Sequence, residues 1–148
     1  MDTGSKVWDP LRRKEVAATP EEQVRQWFIL QLRDSFGVPM HMMMSECALN
    51  FGGKRYRADI LVYDRQGAPL AVVECKRPSV ELSAEVVEQA MRYNAVLGVS
   101  FLILTNGKMT YIYRLECGKF VPCTSVPAYE EMLCRQSHHS SSTNLYSE

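Results

Sequence analysis

The 148-residue chain has no apolar run approaching the ~18 residues of a membrane-spanning helix. Met1 to Pro10 lacks a basic start followed by an apolar segment, so no secretory signal is expected. The chain has no net charge of either sign, with 17 Lys and Arg against 17 Asp and Glu. That excludes a protein that coats nucleic acid by overall basicity, and leaves any phosphate contact local. Cysteine is sparse and unpatterned: Cys47, Cys75, Cys117, Cys123 and Cys134 are odd in number and form no C-x-x-C. This fits reduced thiols in a cytoplasm better than a disulfide framework or a zinc site. No internal repeat is present. What remains is an ordinary globular composition, 46% hydrophobic and 23% charged, long enough for one domain with a real core.

The first eighteen residues read as a lead-in, with a basic cluster at Arg12, Arg13 and Lys14. "TPEEQVRQWFILQLRDSFG" then predicts a helix. Thr19 suits the N-cap, Pro20 the first turn, and Glu22 completes a capping box. Val24, Phe28 and Leu32, with Trp27, form the apolar stripe, and Gly37 with Pro39 closes the helix. "HMMMSECALNF" enters a strand, and its methionines read as flexible packing. "GGKRY" turns it around, "YRADILVYD" returns, and "RQGAP" turns again into a strand at 70–76. "SAEVVEQAMRYNAVLG" is a second helix ending at Gly98. "SFLILTNG" is short and apolar throughout, the pattern of a strand buried on both faces. Strand, helix, strand predicts a right-handed crossover to a parallel neighbour. "MTYIYRL" and "GKFVPC" form a last hairpin, and "PAYEEML" a closing helix. From Arg135 the tail is polar and Ser-rich, and disorder is expected there, His138 and His139 included. The fold class is α/β of the mixed α+β kind: a central mixed sheet flanked by helices. The domain spans residues 19–134.

"LAVVECKRP" carries the chemistry. Glu74 and Lys76 interrupt an apolar strand, and residues two apart share a side. A buried charge needs a partner or an ion. A turn centred near residues 66–67 sets Asp59 of the preceding strand opposite Glu74. Two facing carboxylates repel, and a divalent cation resolves the conflict. Oxygen ligands with room for water suit Mg²⁺ or Mn²⁺. Lys76 could then orient the attacking water and stabilise charge on a phosphate. The plainer alternative is a buried Asp–Lys or Glu–Lys salt bridge.

Both helices add candidates. Glu21 lies on the stripe of Val24 and Phe28, whereas Glu22 is accounted for by capping, so Glu21 is the preferred functional carboxylate. Gln89 and Tyr93 are four apart and share a face with Val86 and Leu97. Core filling is an alternative for Tyr93, less so for Gln89.

The order Glu21, Asp59, Glu74-x-Lys76 and Gln89-x-x-x-Tyr93 resembles the PD-(D/E)XK nuclease superfamily. More narrowly, "TPEEQVRQ", "RADILVYD", "VVECKRPS", "EQAMRYN" and "LTNG" resemble the N-terminal nuclease domain of type I restriction enzyme R subunits. The resemblance covers roughly residues 19–115. It implies a restriction-endonuclease-like core and Mg²⁺-dependent hydrolysis of DNA phosphodiesters. Asp59 and Glu74 would bind metal, with the Cys75 carbonyl as an extra ligand and Glu21 completing the site. Lys76 would serve the water, and Gln89 and Tyr93 would position the site or the DNA strand. The proline expected before the first acid is replaced by Ala58.

R subunits of this kind continue into an ATP-driven motor. No G-x-x-x-x-G-K-[ST] occurs in this sequence, so a stand-alone nuclease-like domain is expected, with motor or specificity functions on a separate partner. The partner of the site would be DNA, held by Lys54, Arg55, Arg57 and Arg77, and a homodimer would cut both strands. Two other readings stay open. One is a catalytically inactive nuclease-fold module that binds nucleic acid or protein. The other is a buried ionic network of Glu21, Asp59, Glu74 and Lys76.

Overall fold

The computed structural model describes residues 4–136. The residues taken as a lead-in form a two-stranded antiparallel hairpin, β1 (Lys6–Asp9) and β2 (Lys14–Ala17). Its turn is held by Asp9, which is fully buried and accepts from the Leu11 N–H at 2.8 Å. The cluster at Arg12 is not idle solvated charge, because Arg12 pairs with both Asp9 and Glu22. The hairpin is thereby tied to the helix that follows.

That helix, α1, spans Pro20–Asp34. The Thr19 hydroxyl accepts from the Glu22 N–H at 3.1 Å, as an N-cap should. The Glu22 carboxylate does not complete a capping box and turns to Arg12 and Arg25 instead. The buried stripe is Val24, Phe28, Ile29 and Leu32, each worth ~1.5–3 kcal/mol on full burial. Trp27 does not belong to it and is 40% exposed.

Six strands follow in one sheet, ordered along the chain: β3 (Met43–Phe51), β4 (Lys54–Tyr63), β5 (Pro69–Cys75), β6 (Phe101–Thr105), β7 (Thr110–Glu116) and β8 (Lys119–Pro122). Neighbours are antiparallel except β5 and β6, which run parallel across the helix α2 (Ala84–Ala95). This is the crossover that the strand–helix–strand order predicts. The β3–β4 turn is only Gly52–Gly53, so Lys54, Arg55 and Arg57 lie in a strand rather than in a loop. Both glycines have positive φ, 60° and 78°, the backbone a two-residue hairpin needs. The β4–β5 turn is closed by Asp64, whose carboxylate accepts from the Gln66 and Ala68 N–H groups at 2.9 and 2.8 Å.

The sheet alternates. Ile60, Val62, Val73, Cys75 and Ile103 face α1 and its cluster. Leu61, Val72, Leu102 and Leu104 face α2, with Ala90. Every residue of β6 is buried, as an apolar strand covered on both sides requires. Residues 129–136 form a closing helix, α3, whose Tyr129 and Met132 join the α1-side core. Arg135 and Gln136 therefore belong to a helix, and the rest of the expected tail, with His138 and His139, lies outside the described residues. Among the described residues no helix is long and apolar enough to cross a membrane.

Candidate active site

The site forms where β4 and β5 part company. Their ladder pairs Ile60 with Val73, Leu61 with Val72 and Val62 with Ala71, and a bulge after Val62 absorbs the turn. Extending the register one step sets Asp59 opposite Glu74. On the other side, Ser45 pairs with Ile60 and Cys47 with Ala58, so Glu46 stands opposite Asp59 as well. Three acids thus lie in a row across β3, β4 and β5.

Each is handled differently. Asp59 Oδ2 accepts from the Cys75 N–H at 2.7 Å, which fixes it to the end of β5. Burial nevertheless raises the Asp59 pKa, and neither that hydrogen bond nor nearby Arg25 reverses the shift. Burial also raises Glu74, against the Asn94 hydrogen bond and Lys76, while the charge of Asp59 adds to the rise. Glu46 behaves oppositely. Burial pushes it up, but the hydrogen bond from Arg25 and the charges of Arg25 and Arg57 prevail and lower it. Glu46 has φ of 56°, a left-handed backbone that costs a non-glycine residue roughly 1–2 kcal/mol. Its ion pairs with Arg25 and Arg57 offset that strain.

Arg25 is the hub. It comes from α1 and is 6% exposed. Its Nη1 donates to Glu46 Oε2 at 2.7 Å and to the Asp59 carbonyl at 3.1 Å, and lies 4.0 Å from the Asp59 carboxylate. Its Nε lies 3.2 Å from Glu22 Oε2. Sequence reasoning missed Arg25, Glu46 and Asn94. Asn94 is fully buried in α2 and donates to Glu74 Oε2 at 2.9 Å and to the Ala90 carbonyl at 2.8 Å. The one available signal for it was helical spacing. Asn94 follows Ala90 by four and so shares its inward face, one step round from Gln89 and Tyr93.

A cleft of about 590 Å³ opens over Glu74. Glu21, Glu74, Lys76, Arg77, Gln89 and Tyr93 line it, so six of the expected site residues meet in one place. Asp59 lies beside the cleft, joined to it through Cys75. Glu21 is exposed at the wall, not inward on α1 as its spacing suggested, and Gln89 is exposed too. The inward residue of that helical turn is Glu22. Tyr93 spans cleft and fold, since its hydroxyl accepts from the Arg57 N–H at 3.1 Å. Lys54, Arg55 and Arg57 lie outside the cleft lining, along β4. Cys75 is buried, with its thiol pKa driven well up by burial, so only its backbone suits a ligand role. A larger cavity, about 710 Å³, is lined by residues such as Arg114, Cys117 and Cys134. It holds none of the acids of the row, and the chemistry favours the smaller cleft.

Among the described residues no three His, Cys, Asp or Glu side chains converge into a metal cage. The donor set is instead two carboxylates disfavoured when ionised, Glu74 in the cleft and Asp59 beside it at the strand end, with Glu21 on the cleft wall. That is the setting in which Mg²⁺ binds through one or two carboxylates and fills its remaining positions with water and phosphate.

Residues 20–127 match the family model described as type I restriction enzyme R protein N terminus. The chain belongs to this family. The match starts at the first residue of α1 and takes in the whole cleft. No curated protein matches the sequence. Among solved structures, the chain is similar to one described as a fragment of an HsdR subunit of a type I restriction enzyme from Vibrio vulnificus YJ016. The TM-score is 0.58 with 22% identity, over 78% of this chain and 25% of that one. The chain thus spans about a quarter of that solved fragment, and the likeness is one of fold. For an R-protein N terminus, the hairpin β1–β2 lies outside the matched region, yet Arg12 couples it to Glu22 inside it.

Proposed function

We propose that this R-protein N-terminal domain is a nuclease domain that hydrolyses DNA phosphodiester bonds with Mg²⁺ or Mn²⁺. One observation carries the reading: Asp59 of β4 accepts from the Cys75 N–H at 2.7 Å, beside Glu74 at the end of β5, both carboxyls have raised pKa, and Glu74 lines the cleft with Lys76. Asp59, Glu74 and the Cys75 carbonyl would hold the ion, with Glu21 within the same cleft. The ion would supply Lewis-acid stabilisation of the phosphate and a more acidic water. Asn94 holds the Glu74 carboxylate in one orientation through its 2.9 Å bond. Lys76 offers a cation to the charge that develops on the phosphate and a donor to the attacking water. Arg77 and Tyr93 would contact the strand, and Gln89 would orient it. The restriction enzyme named for the family implies further subunits, so other subunits of a type I enzyme are the natural partners, in a cytoplasmic setting. Pairing two copies would let both strands be cut.

A second reading has its own support. Arg25, 4.0 Å from the Asp59 carboxylate, provides a cation without any metal. On that reading the domain binds nucleic acid or a protein and cuts nothing. Calorimetric titration of Mn²⁺ and Mg²⁺ into chelator-treated protein separates the two, followed by cleavage assays on labelled duplex and single-stranded DNA. Saturable binding and cleavage, both lost in Asp59→Ala, are expected. A wild type that cleaves neither substrate at millimolar Mn²⁺ refutes the nuclease reading.

A further inference from the structure

The β3–β4 hairpin carries a surface that the cleft does not use. Residues 47–57, "CALNFGGKRYR", contain three cations and no carboxylate, in a chain of zero net charge. The Gly52–Gly53 turn is as tight as a hairpin allows, so Phe51 and Lys54 are paired side by side at the tip. Phe51 is 53% exposed. Asn50 and Arg55 form the next rung, and Arg55 is exposed. The ribbon is braced. Lys54 Nζ lies 5.3 Å from the Tyr56 ring centroid, and Tyr56 is buried edge-on against Tyr93 at 5.0 Å. Tyr93 accepts from the Arg57 N–H, closing the link to α2 and the cleft wall.

We propose that this hairpin tip enters the major groove of duplex DNA, with Phe51 against base edges and Lys54 and Arg55 on the flanking phosphates. A two-stranded ribbon fits the groove, which is about 12 Å wide, and a phenylalanine finds thymine methyls there. Charge favours the occupant: a polyanion meets Lys54 and Arg55 at the exposed tip, while Arg57 further back is paired to Glu46. Spacing favours it too. Lys54 precedes Asp59 by five residues on one strand, about 17 Å at a rise of ~3.3 Å. That is about five steps of 3.4 Å along a duplex. A duplex whose backbone reaches the cleft would present its groove to the tip. The inference rests on the DNA reading and names the substrate form as duplex.

The test is equilibrium binding of a fluorescent duplex, and of the matching single strand, in chelator so that no cleavage intervenes. Phe51→Ala is expected to weaken duplex binding about tenfold while binding the single strand as the wild type does. Lys54→Ala should lower the salt slope of duplex binding by about one, a change Phe51→Ala should not make. Phe51→Trp should retain affinity. Phe51 is exposed, so the variants are expected to melt like the wild type, which circular dichroism checks. Equal duplex affinity for wild type and Phe51→Ala overturns the inference even if the protein cuts DNA. A duplex-binding wild type that cuts nothing, with the Phe51→Ala loss intact, refutes the nuclease reading and leaves the hairpin's role standing. A wild type that binds no duplex overturns the inference, and the nuclease reading is then decided by the cleavage assays alone.

Discussion

Replacing Glu74 by Gln should make the metal-free protein more stable. Gln keeps an oxygen to accept from Asn94 and fills nearly the same volume, so the change removes charge and little else. Facing residues on paired strands stand ~5 Å apart, and two unit charges at that distance repel by about 3 kcal/mol at an effective dielectric of 20. Lys76 and Arg25 offset much of this, but the raised pKa of Glu74 means that desolvation and repulsion together outweigh its hydrogen bond and Lys76. A net gain of about 1 kcal/mol is expected for Glu74→Gln at neutral pH, a rise of ~0.5 M in the urea midpoint. The pH dependence fixes the sign. The folded pKa lies above the ordinary 4.5, so relative to Gln the wild type loses nothing below about 4.5 and loses stability as pH rises through the elevated value. Saturating Mg²⁺ should invert the order, since ligand at 100 times its Kd stabilises the form that binds it by ~2.7 kcal/mol. The assay is urea unfolding in chelator and in Mg²⁺, from pH 4 to 8. A loss of more than ~1 kcal/mol in chelator at neutral pH would refute the reasoning, because Glu74 would then belong to a stabilising ionic network.

Arg25→Met should act the other way. It removes the cation nearest Asp59 and one of the two cations on each of Glu22 and Glu46, which keep Arg12 and Arg57, and should cost about 3 kcal/mol in urea unfolding; a loss below ~1 kcal/mol would remove Arg25 from the centre of the row. Tyr93→Phe leaves the Arg57 N–H without its acceptor and should cost about 1 kcal/mol. Thermal melts check this, and an unchanged melting temperature would mean that water replaces the hydroxyl.

The sheet was legible because its signals are local. A turn near 66–67 was enough to oppose Asp59 and Glu74, and the bulge after Val62 supplies the step that brings them level, since Tyr63 pairs with Pro69 on the turn side and Val62 with Ala71 beyond it. The buried strand β6 announced itself by five apolar or β-branched residues in a row. The first helix was harder. Capping chemistry assigned Glu22 to its own backbone, but Arg12 from the preceding hairpin and Arg25 one turn on draw it away. Glu21, placed inward by its spacing, is therefore exposed, and Glu22 is the buried one. Arg25 looks like a polar residue between Val24 and Gln26, and its burial becomes sensible only once strands distant in sequence supply Glu46 and Asp59. Ion pairs of that span leave no periodic trace. The hairpin β1–β2 escaped for a related reason: its strands have four residues each, and its order comes from one buried Asp9.

The three acids of the row all lie on one uninterrupted meander, β3–β4–β5, joined by tight turns. Closing short loops costs little entropy, whereas the parallel join to β6 waits on the whole crossover through α2. Glu46, Asp59 and Glu74 can therefore come together while water still surrounds them. Their desolvation comes from the helices: α1 sets Arg25 against one face of the row and α2 sets Asn94 against the other. The residues that tame the site thus arrive together with the helices that bury it, and the electrostatic cost of the row is concentrated in the docking of two helices rather than in the building of the sheet.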